Sequence, residues 1–474
     1  MSAFPETGRP CDEVLADVKR QRTRDLQSDG RAFAFVYNAG DEVRALLRDA
    51  YLECMGVNAL DPTVYPSART LENALVSGCL DLLRAPPGAV GTATAGGTES
   101  VILAVKTARD FARKTRPEVT RPAMLLPLTA HACFHKAGHY LGVEVIPVEV
   151  DPGTFRANTD DARAKMTDQV VLVVGSAPSY AHGVVDDIPA LAALAQEHNA
   201  LMHVDACVGG FVLPFLRDLG EEVPPFDFTV PGVTSMSVDL HKYGFAPKGI
   251  SLLLQRRADL RAAQYYACAR WTGYPVVNST SLGSKSVAAL GAAYALIQHL
   301  GLEGYRTRAR TMWDAAQRLI RVVADTPGLR LLGRPDMNLF AFVPTDGDVF
   351  VLADRMTAQG WLVQLTYGFG PSPAHIHLTV DPSNAAWADA FAVDLQAAMV
   401  DLPAASEPPP EVVALLDAVG QGELDAGLLM GQLGIADGQL PAESAMIHRL
   451  INAASPTARE GLLVLFFGQL YASG

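Results

Sequence analysis

A histidine and a lysine stand together at positions 241 and 242, directly after an apolar and β-branched run and at the start of a turn rich in glycine and proline. A lysine attacks an aldehyde only as the free amine, so the chemistry that this position suggests is Schiff-base formation by Lys242. A second cation such as Lys248 lowers the pKa of a neighbouring amine and would favour that reaction. A solvated lysine in a loop is the alternative that the pair of His241 and Lys242 alone leaves open.

An aspartate lies at the end of a second apolar run. Residues 169–174 predict a buried strand, a helical stretch follows, and residues 201–204 predict a parallel strand that delivers Asp205. Ligands of open α/β sheets bind along the carboxyl ends of the strands, so Asp205 would face the same crevice as Lys242. A carboxylate there can keep a pyridinium nitrogen protonated, whereas capping of the following turn is the alternative.

A loop rich in glycine and threonine precedes a helical pattern at residues 101–109. Glycines such as Gly97 let the backbone approach an anion closely, and the free amides at the helix start can donate to it, together with the hydroxyls of Thr98 and Ser100. The loop therefore predicts a phosphate site. A well-capped helix is the alternative if the loop is considered alone.

His131 follows the apolar run 123–128, where an imidazole ring could lie against a flat cofactor. A lone histidine is more often structural. Here it completes a series of four elements in chain order: a phosphate loop, then a histidine, an aspartate and a lysine that each follow a strand. This order predicts pyridoxal 5'-phosphate as the cofactor, attached to Lys242 and with Asp205 at its ring nitrogen.

These segments resemble the group II decarboxylase superfamily of fold-type I pyridoxal-phosphate enzymes, and most closely the sphingosine-1-phosphate lyases. The resemblance extends from about residue 30 to at least residue 305, and Cys207 with the residues that follow Lys242 favours the lyases over the decarboxylases. The matching motifs are residues 96–100, 131–137, 175–178, 182–186, 203–211 and 240–249.

The resemblance implies a role for each cofactor-binding residue. Lys242 would carry the cofactor beside His241, Asp205 would pair with the ring nitrogen, and His131 would stack on the ring. Gly97 and Thr98 would hold the cofactor phosphate.

A second segment, residues 278–285, resembles the part of these enzymes that reaches across a homodimer. The resemblance implies that Thr280 and Ser284 contact the cofactor phosphate of the other subunit, so that the active sites are shared. The family has an arginine where this chain has Lys285, and a lysine provides a point charge without the planar fork of a guanidinium.

The resemblance also implies a phosphate-bearing substrate that is held by a tyrosine, a lysine and a histidine. Tyr37 and Lys248 match the first two, but Asp61 stands where the relatives have the histidine. Either Asp61 is protonated or turned onto Lys248, or the distal group of the substrate is not a phosphate. Tyr180 could deprotonate a substrate hydroxyl, and a packing aromatic at a strand end is its alternative.

The composition excludes several classes of function. The net charge of −13 and the lack of a basic run argue against a nucleic-acid partner. Six cysteines show neither paired spacing nor a zinc pattern, which predicts a reducing compartment and no metal site. The amino terminus lacks a targeting signal, and no apolar run approaches the roughly 18 residues of a membrane span, so we expect a cytoplasmic protein.

The pattern predicts an α/β fold, which the resemblance implies is of fold-type I, with a large domain whose mostly parallel sheet is flanked by helices. A smaller α/β domain with strand-like runs at 338–343 and 375–380 would follow, and then a Pro-rich linker and a helical tail. The expected boundaries are an amino-terminal arm at 1–55, the large cofactor-binding domain at 56–290, the small domain at 291–402, and the linker and helical extension at 403–474.

Two reactions remain open with this cofactor, because the bond held perpendicular to the conjugated ring is the one that breaks. One is retro-aldol cleavage of sphingosine 1-phosphate, or a similar phosphorylated amphipathic amine, to a fatty aldehyde and ethanolamine phosphate. The other is decarboxylation of an aromatic or acidic amino acid. A non-catalytic cofactor-binding protein is a third hypothesis, which the joint presence of Lys242, Asp205 and His131 disfavours.

Overall fold

The computed structural model describes residues 5–26, 30–420 and 444–471. A seven-stranded sheet with the order β1-β7-β6-β5-β4-β2-β3 forms the large domain. Its strands are β1 (Val90–Thr94), β2 (Ala123–Pro127), β3 (Glu144–Val148), β4 (Val170–Ser176), β5 (Leu201–Asp205), β6 (Val233–Val238) and β7 (Ser251–Gln255). The neighbours from β3 to β6 run parallel, and β7 is antiparallel to both β6 and β1. The predicted mostly parallel sheet is therefore confirmed.

Helices cover this sheet and lead into and out of it. They are α1 (Cys11–Gln21), α2 (Arg44–Glu53), α3 (Pro66–Leu82), α4 (Gly97–Thr115), α5 (Cys133–Leu141), α6 (Thr159–Ala164), α7 (Ile188–Glu197), α8 (Leu213–Asp218) and α9 (Ala258–Gln264). The central strands β4 and β6 are buried along their whole length, which explains why they read as nearly continuous runs of apolar and small residues. A short hairpin, β8 (Tyr266–Cys268) and β9 (Val276–Asn278), follows the sheet.

A long helix, α10 (Ala288–Asp325), connects the large domain to the small one and is interrupted at Gly301, where φ is 56°. The small domain has an antiparallel sheet in the order β10-β11-β13-β12. Its elements are β10 (Leu329–Leu331), β11 (Leu339–Pro344), α11 (Val349–Ala358), β12 (Gln364–Thr366), β13 (His375–Thr379) and α12 (Ala388–Met399). The strand-like runs predicted at 338–343 and 375–380 are thus confirmed as β11 and β13.

The amino-terminal segment before α2 crosses the small domain before it reaches the large one. Phe33 is fully buried against Trp361 and Phe391, at ring-centroid distances of 6.0 and 4.7 Å. Its backbone bonds to the small domain on both sides, to the carbonyl of Leu362 and the amide of Thr379. This anchoring places the next few residues at the junction of the two domains.

The carboxyl-terminal region is helical where it is described, in α13 (Pro410–Gly420), α14 (Ala445–Ala453) and α15 (Pro456–Leu470). The parts of the predicted helical tail at 421–443 and 472–474 lie outside the described residues. Among the helices of the described ranges, none is both long enough and apolar enough to cross a membrane.

Candidate active site

A cavity of about 390 Å³ lies at the carboxyl ends of the central strands. It brings together nine of the residues that the sequence singles out: Tyr37, Gly97, Thr98, His131, Tyr180, Asp205, His241, Lys242 and Lys248. Because β2, β5 and β6 are parallel, the residues that follow them meet at one edge of the sheet. Asp61, Thr280 and Ser284 do not line this cavity within the chain.

Lys242 follows the end of β6 and forms an ion pair with Asp239, at 3.0 Å from Nζ to Oδ2. Burial lowers the pKa of Lys242, but the negative charge of Asp239 and weaker contributions from its other neighbours outweigh burial and raise that pKa above its ordinary value. The expectation that Lys248 keeps Lys242 deprotonated is therefore wrong. Burial, and then the charge of Lys242, instead lower the pKa of Lys248.

Asp205 is the last residue of β5 and is 9% exposed. Its Oδ1 accepts hydrogen bonds from the amide of Cys207 at 3.1 Å and from the hydroxyl of Ser237 at 3.2 Å. Burial raises the pKa of this carboxyl group. The charge of Lys242, the electrostatic interaction with His131 and the hydrogen bond from Cys207 lower that pKa by more than burial raises it, so the net shift is downward. Asp205 is therefore an anion at the cavity wall, as a ring-nitrogen partner has to be.

His131 lies after β2, and its Nδ1 accepts a hydrogen bond from the amide of Cys133 at 3.2 Å. This contact fixes the orientation of the imidazole and leaves the hydrogen on Nε2. Burial lowers the pKa of His131, so the ring is neutral near pH 7. A neutral flat ring that lines the cavity is suited to stacking against a planar cofactor.

The amino terminus of α4 forms the anion cradle of the cavity. A Cβ at Gly97 would lie 2.7 Å from a carboxylate oxygen of Asp239 and 3.0 Å from Sγ of Cys207, so a larger residue at this position would displace both side chains. The carboxylate of Glu99 accepts hydrogen bonds from the backbone amides of Ala95 and Ser281, and Glu99 does not line the cavity. The cradle therefore fits a phosphate group next to Gly97 and Thr98.

Two tyrosines and a second lysine complete the cavity wall. The Lys248 ammonium lies 4.6 Å from the centroid of the Tyr37 ring, and it donates a hydrogen bond to the carbonyl of His241. Burial raises the pKa of Tyr37 and that of Tyr180. Both side chains are thus phenols near neutral pH, although the charge of Lys242 acts in the opposite direction on each.

Asp61 lies on an exposed loop and is neither protonated nor turned onto Lys248. Its Oδ1 accepts hydrogen bonds from the amide and the hydroxyl of Thr63, at 2.8 and 2.6 Å. These bonds lower the pKa of Asp61, so the side chain is ionised. Within the single chain, the two expectations that Asp61 is protonated or paired with Lys248 are therefore wrong.

Thr280 and Ser284 lie on a segment beside the phosphate cradle. The hydroxyl of Ser284 is 3.4 Å from the side-chain amide of Asn58, and the neighbouring Lys285 donates to the carbonyl of Ala93 at 2.9 Å. A groove of about 520 Å³ runs between this segment and the loop that carries Asp61. Thr280 lines this groove but is only 8% exposed, and its hydroxyl donates to the carbonyl of Leu282 at 3.2 Å.

Asp239 and Phe35 line the cavity but lie outside the motifs that the sequence analysis identifies. Asp239 follows β6 directly and stands three residues before Lys242, so its place at the end of a buried strand was an available signal. Phe35 also lines the cavity, in a segment whose position depends on the small domain. No pattern in the sequence gives that position.

Two parts of the chain match known protein families. Residues 2–343 match the family described as "Pyridoxal-dependent decarboxylase conserved domain". Residues 395–469 match a C-terminal HTH domain of pyridoxal-dependent enzymes. This second stretch holds nine carboxylates and two arginines, so its charge opposes contact with nucleic-acid phosphates.

Three relatives illustrate the similarity. A sphingosine-1-phosphate lyase of Oryza sativa is 37% identical over 376 residues, which are 78% of this chain and 69% of the relative. The structure of a Burkholderia pseudomallei sphingosine-1-phosphate lyase covers 90% of this chain and 98% of its own, with a TM-score of 0.82 and 32% identity. A Pyrococcus furiosus protein named "Probable L-aspartate decarboxylase" is 35% identical over 77% of this chain and 96% of its own length.

Proposed function

The chain belongs to the sphingosine-1-phosphate lyases of the pyridoxal-dependent decarboxylase family, and from this membership we propose that it cleaves sphingosine 1-phosphate or a similar phosphorylated long-chain amino alcohol. The products are a fatty aldehyde and ethanolamine phosphate. The enzyme is a lyase that depends on pyridoxal 5'-phosphate. The resemblance found in the sequence motifs and the cofactor that they predict are thus confirmed.

The observation that carries the proposal is the arrangement of two cations in one cavity. Lys242 lies at the cofactor position, and Lys248 lies over the ring of Tyr37 on the same cavity wall. A substrate that presents an amine to the first lysine can therefore present a distal anion to the second. A phosphorylated amino alcohol has this pair of groups.

Pyridoxal phosphate, when bound, supplies an electron sink for the carbon that bears the amine. The residues of the chain prepare that chemistry. Lys242 provides the covalent attachment, Asp205 supplies a fixed negative charge for the ring nitrogen, and His131 provides a neutral surface for the ring. The backbone of Gly97 and Thr98 at the start of α4 binds the cofactor phosphate.

Tyr37 and Lys248 bind the distal phosphate of the substrate in this proposal. Burial holds the pKa of Lys248 below its ordinary value, so the arrival of a phosphate dianion stabilises its protonated form. Tyr180 contacts the substrate hydroxyl. The hydroxyl loses its proton and becomes the aldehyde, while the electron pair of the broken carbon–carbon bond remains with the amine-bearing carbon, which takes up a proton.

We also propose that the enzyme is a homodimer with shared active sites. The hairpin segment that precedes Thr280 and Ser284 in the chain carries exposed aromatic side chains, and exposed apolar patches of this kind mark interfaces. These are Tyr265, Tyr266, Trp271 and Tyr274, which are 38%, 57%, 50% and 60% exposed. A second copy of the chain is the partner that covers them.

Six free cysteines agree with a reducing, cytoplasmic location.

The substrate class is tested by measuring kcat/KM for sphingosine 1-phosphate and for sphingosine without the phosphate. The wild-type enzyme should prefer the phosphorylated compound. Lys248→Met should reduce that preference about tenfold or more, because a charge-assisted contact is worth roughly 1.5 to 3 kcal/mol. The matched control is Lys136→Met, since Lys136 lies over the ring of Tyr140 at 5.5 Å but outside the cavity. Equal use of both compounds by the wild type would refute a phosphate-bearing substrate.

Decarboxylation of an acidic amino acid is the second candidate, and the similarity to the Pyrococcus furiosus protein over almost all of that protein's length favours it. In that reaction Lys248 and Tyr37 would bind a side-chain carboxylate. Carbon dioxide would be released, and no aldehyde would form. The two reactions are therefore distinguished by their products.

A further inference from the structure

The backbone of Phe35 adopts a conformation that a phenylalanine rarely takes, with φ at 64°. A bulky side chain in this left-handed region is strained, and such residues persist only where the surroundings fix them. Two other phenylalanines of the chain have similar φ values, Phe155 at 59° and Phe245 at 58°. Those two are 1% and 4% exposed, so burial of their rings stabilises the strained backbone. Phe35 is 65% exposed and gains no such compensation within the chain.

The strain at Phe35 is imposed by anchors on both sides. Phe33 is fixed in the core of the small domain, and its backbone is bonded to Leu362 and Thr379. Tyr37 packs edge-on against Tyr243 at a centroid distance of 5.0 Å, and Lys248 lies on its ring. The ring of Phe35 is therefore held in the open between two fixed points, where a glycine or an asparagine would be less strained.

Phe35 also lines the active-site cavity together with Tyr37 and Lys248. Among the described residues that line this cavity, it is the one large apolar side chain that is mostly exposed. The cavity of about 390 Å³ is near the lower end of the range for drug-sized ligands. A long hydrocarbon chain cannot be enclosed there beside a cofactor, so it has to leave through the mouth of the cavity.

We propose that Phe35 is a specificity-determining residue whose ring contacts the hydrocarbon chain of the substrate at the mouth of the cavity. The inference rests on the proposed function, because it requires an amphipathic substrate whose polar head lies at Lys242 and Lys248. Contact with the chain removes the exposed ring from water, and this contact is the compensation that the fold itself does not provide. The enzyme therefore prefers long chains over short ones with the same head group.

The test compares Phe35→Gly with the wild-type holoenzyme on two substrates that share the phosphorylated head, one with the chain of sphingosine 1-phosphate and one with a butyl chain. The ratio of kcat/KM for the long substrate to that for the short one should fall about tenfold, since apolar contact area is lost. The midpoint of thermal unfolding should stay the same or rise, because glycine accepts a positive φ. Phe35→Asn should behave like Phe35→Gly, whereas Phe35→Leu should retain part of the chain-length preference.

Phe369→Ala is the matched control, because Phe369 is 53% exposed and does not line the cavity. It should leave the ratio unchanged. An unchanged ratio in Phe35→Gly, including an equal loss of kcat/KM on both substrates, would overturn the proposal. If the wild type is a dimer and Phe35→Gly is a monomer, the proposal also fails, because a partner subunit then covers the ring. If the wild type cleaves neither substrate, the proposed function itself fails, and that result is distinct from a wild type that cleaves both with a ratio insensitive to Phe35.

Discussion

The ammonium of Lys242 lies 3.0 Å from Oδ2 of Asp239, a side chain that is 2% exposed. The other carboxylate oxygen, Oδ1, is buried without a hydrogen-bond partner among the described residues. The imidazole of His241 lies 3.8 Å from the same Oδ2. A single buried carboxylate thus faces both members of the histidine–lysine pair, and its negative charge favours the protonated form of Lys242.

Replacement of Asp239 should make Lys242 more reactive toward an aldehyde. Asp239 raises the pKa of Lys242, so Asp239→Asn should lower it, and the free amine should then be present at a lower pH. The pH profile for attachment of pyridoxal phosphate to enzyme stripped of cofactor, followed by the visible absorbance band, should shift toward acid. Asp227→Asn is the control, because Asp227 is buried and paired with Arg84 and Arg217 away from the cavity. A profile that does not move in Asp239→Asn would show that the carboxylate does not govern Lys242.

Asp205→Asn should leave the cofactor bound but slow the reaction. The amide is nearly isosteric and can still accept the hydrogen bonds from Cys207 and Ser237, but it carries no charge to keep the ring nitrogen protonated. A loss of roughly 100-fold in kcat is expected for removal of one fixed charge at a reacting group. Absorbance spectra measure cofactor content, and steady-state kinetics measure kcat. Full activity with the amide in place would exclude this role for Asp205.

Shared active sites predict that two inactive chains complement each other. Lys242→Ala removes the covalent attachment, and Ser284→Asp places a negative charge where the cofactor phosphate of the other subunit is expected. In a heterodimer of the two variants both defects fall in one composite site, so the other site should work. Activity of purified heterodimers, selected through two different affinity tags, measures this. If verified heterodimers stay as inactive as either homodimer, each subunit builds its site alone.

Asp61 gives a test of the distal phosphate that includes the second subunit. If the loop of Asp61 reaches the partner's substrate, Asp61→His should lower KM for sphingosine 1-phosphate at a pH below the histidine pKa, by about tenfold for a charge-assisted contact. Well above that pKa the gain should largely disappear, since the imidazole is then neutral. Asp160→His, on the exposed side of α6, is a control for the added histidine. A higher KM at both pH values would indicate that the distal group is not an anion.

The sequence predicts the edge of the sheet at which the site forms, because that edge follows from local patterns. The apolar runs before His131, Asp205 and Lys242 are strands β2, β5 and β6, and parallel strands bring their carboxyl ends together. The phosphate cradle follows from the glycines that open α4. These features require only hydrophobic periodicity and the chain order.

The remainder of the site depends on contacts between distant parts of the chain. The amide of Asn38 bonds to Asp381 across 343 positions, and the ring of Tyr180 lies 4.4 Å from that of His377 in the small domain. No local pattern encodes such packing. The direction of the Lys242 pKa shift was likewise out of reach, because it depends on a short distance to Asp239, whose charge together with those of other neighbours outweighs the effect of burial.

Identification of the reaction products distinguishes carbon–carbon cleavage from decarboxylation. Purified holoenzyme is incubated with sphingosine 1-phosphate and, in a separate reaction, with L-aspartate. Fatty aldehyde, ethanolamine phosphate and carbon dioxide are then quantified. Lys242→Ala is the inactive control. We expect aldehyde and ethanolamine phosphate in equal amounts from the first substrate, and no carbon dioxide above the control from the second. Release of carbon dioxide from L-aspartate, with no aldehyde from sphingosine 1-phosphate, would contradict the proposed lyase activity.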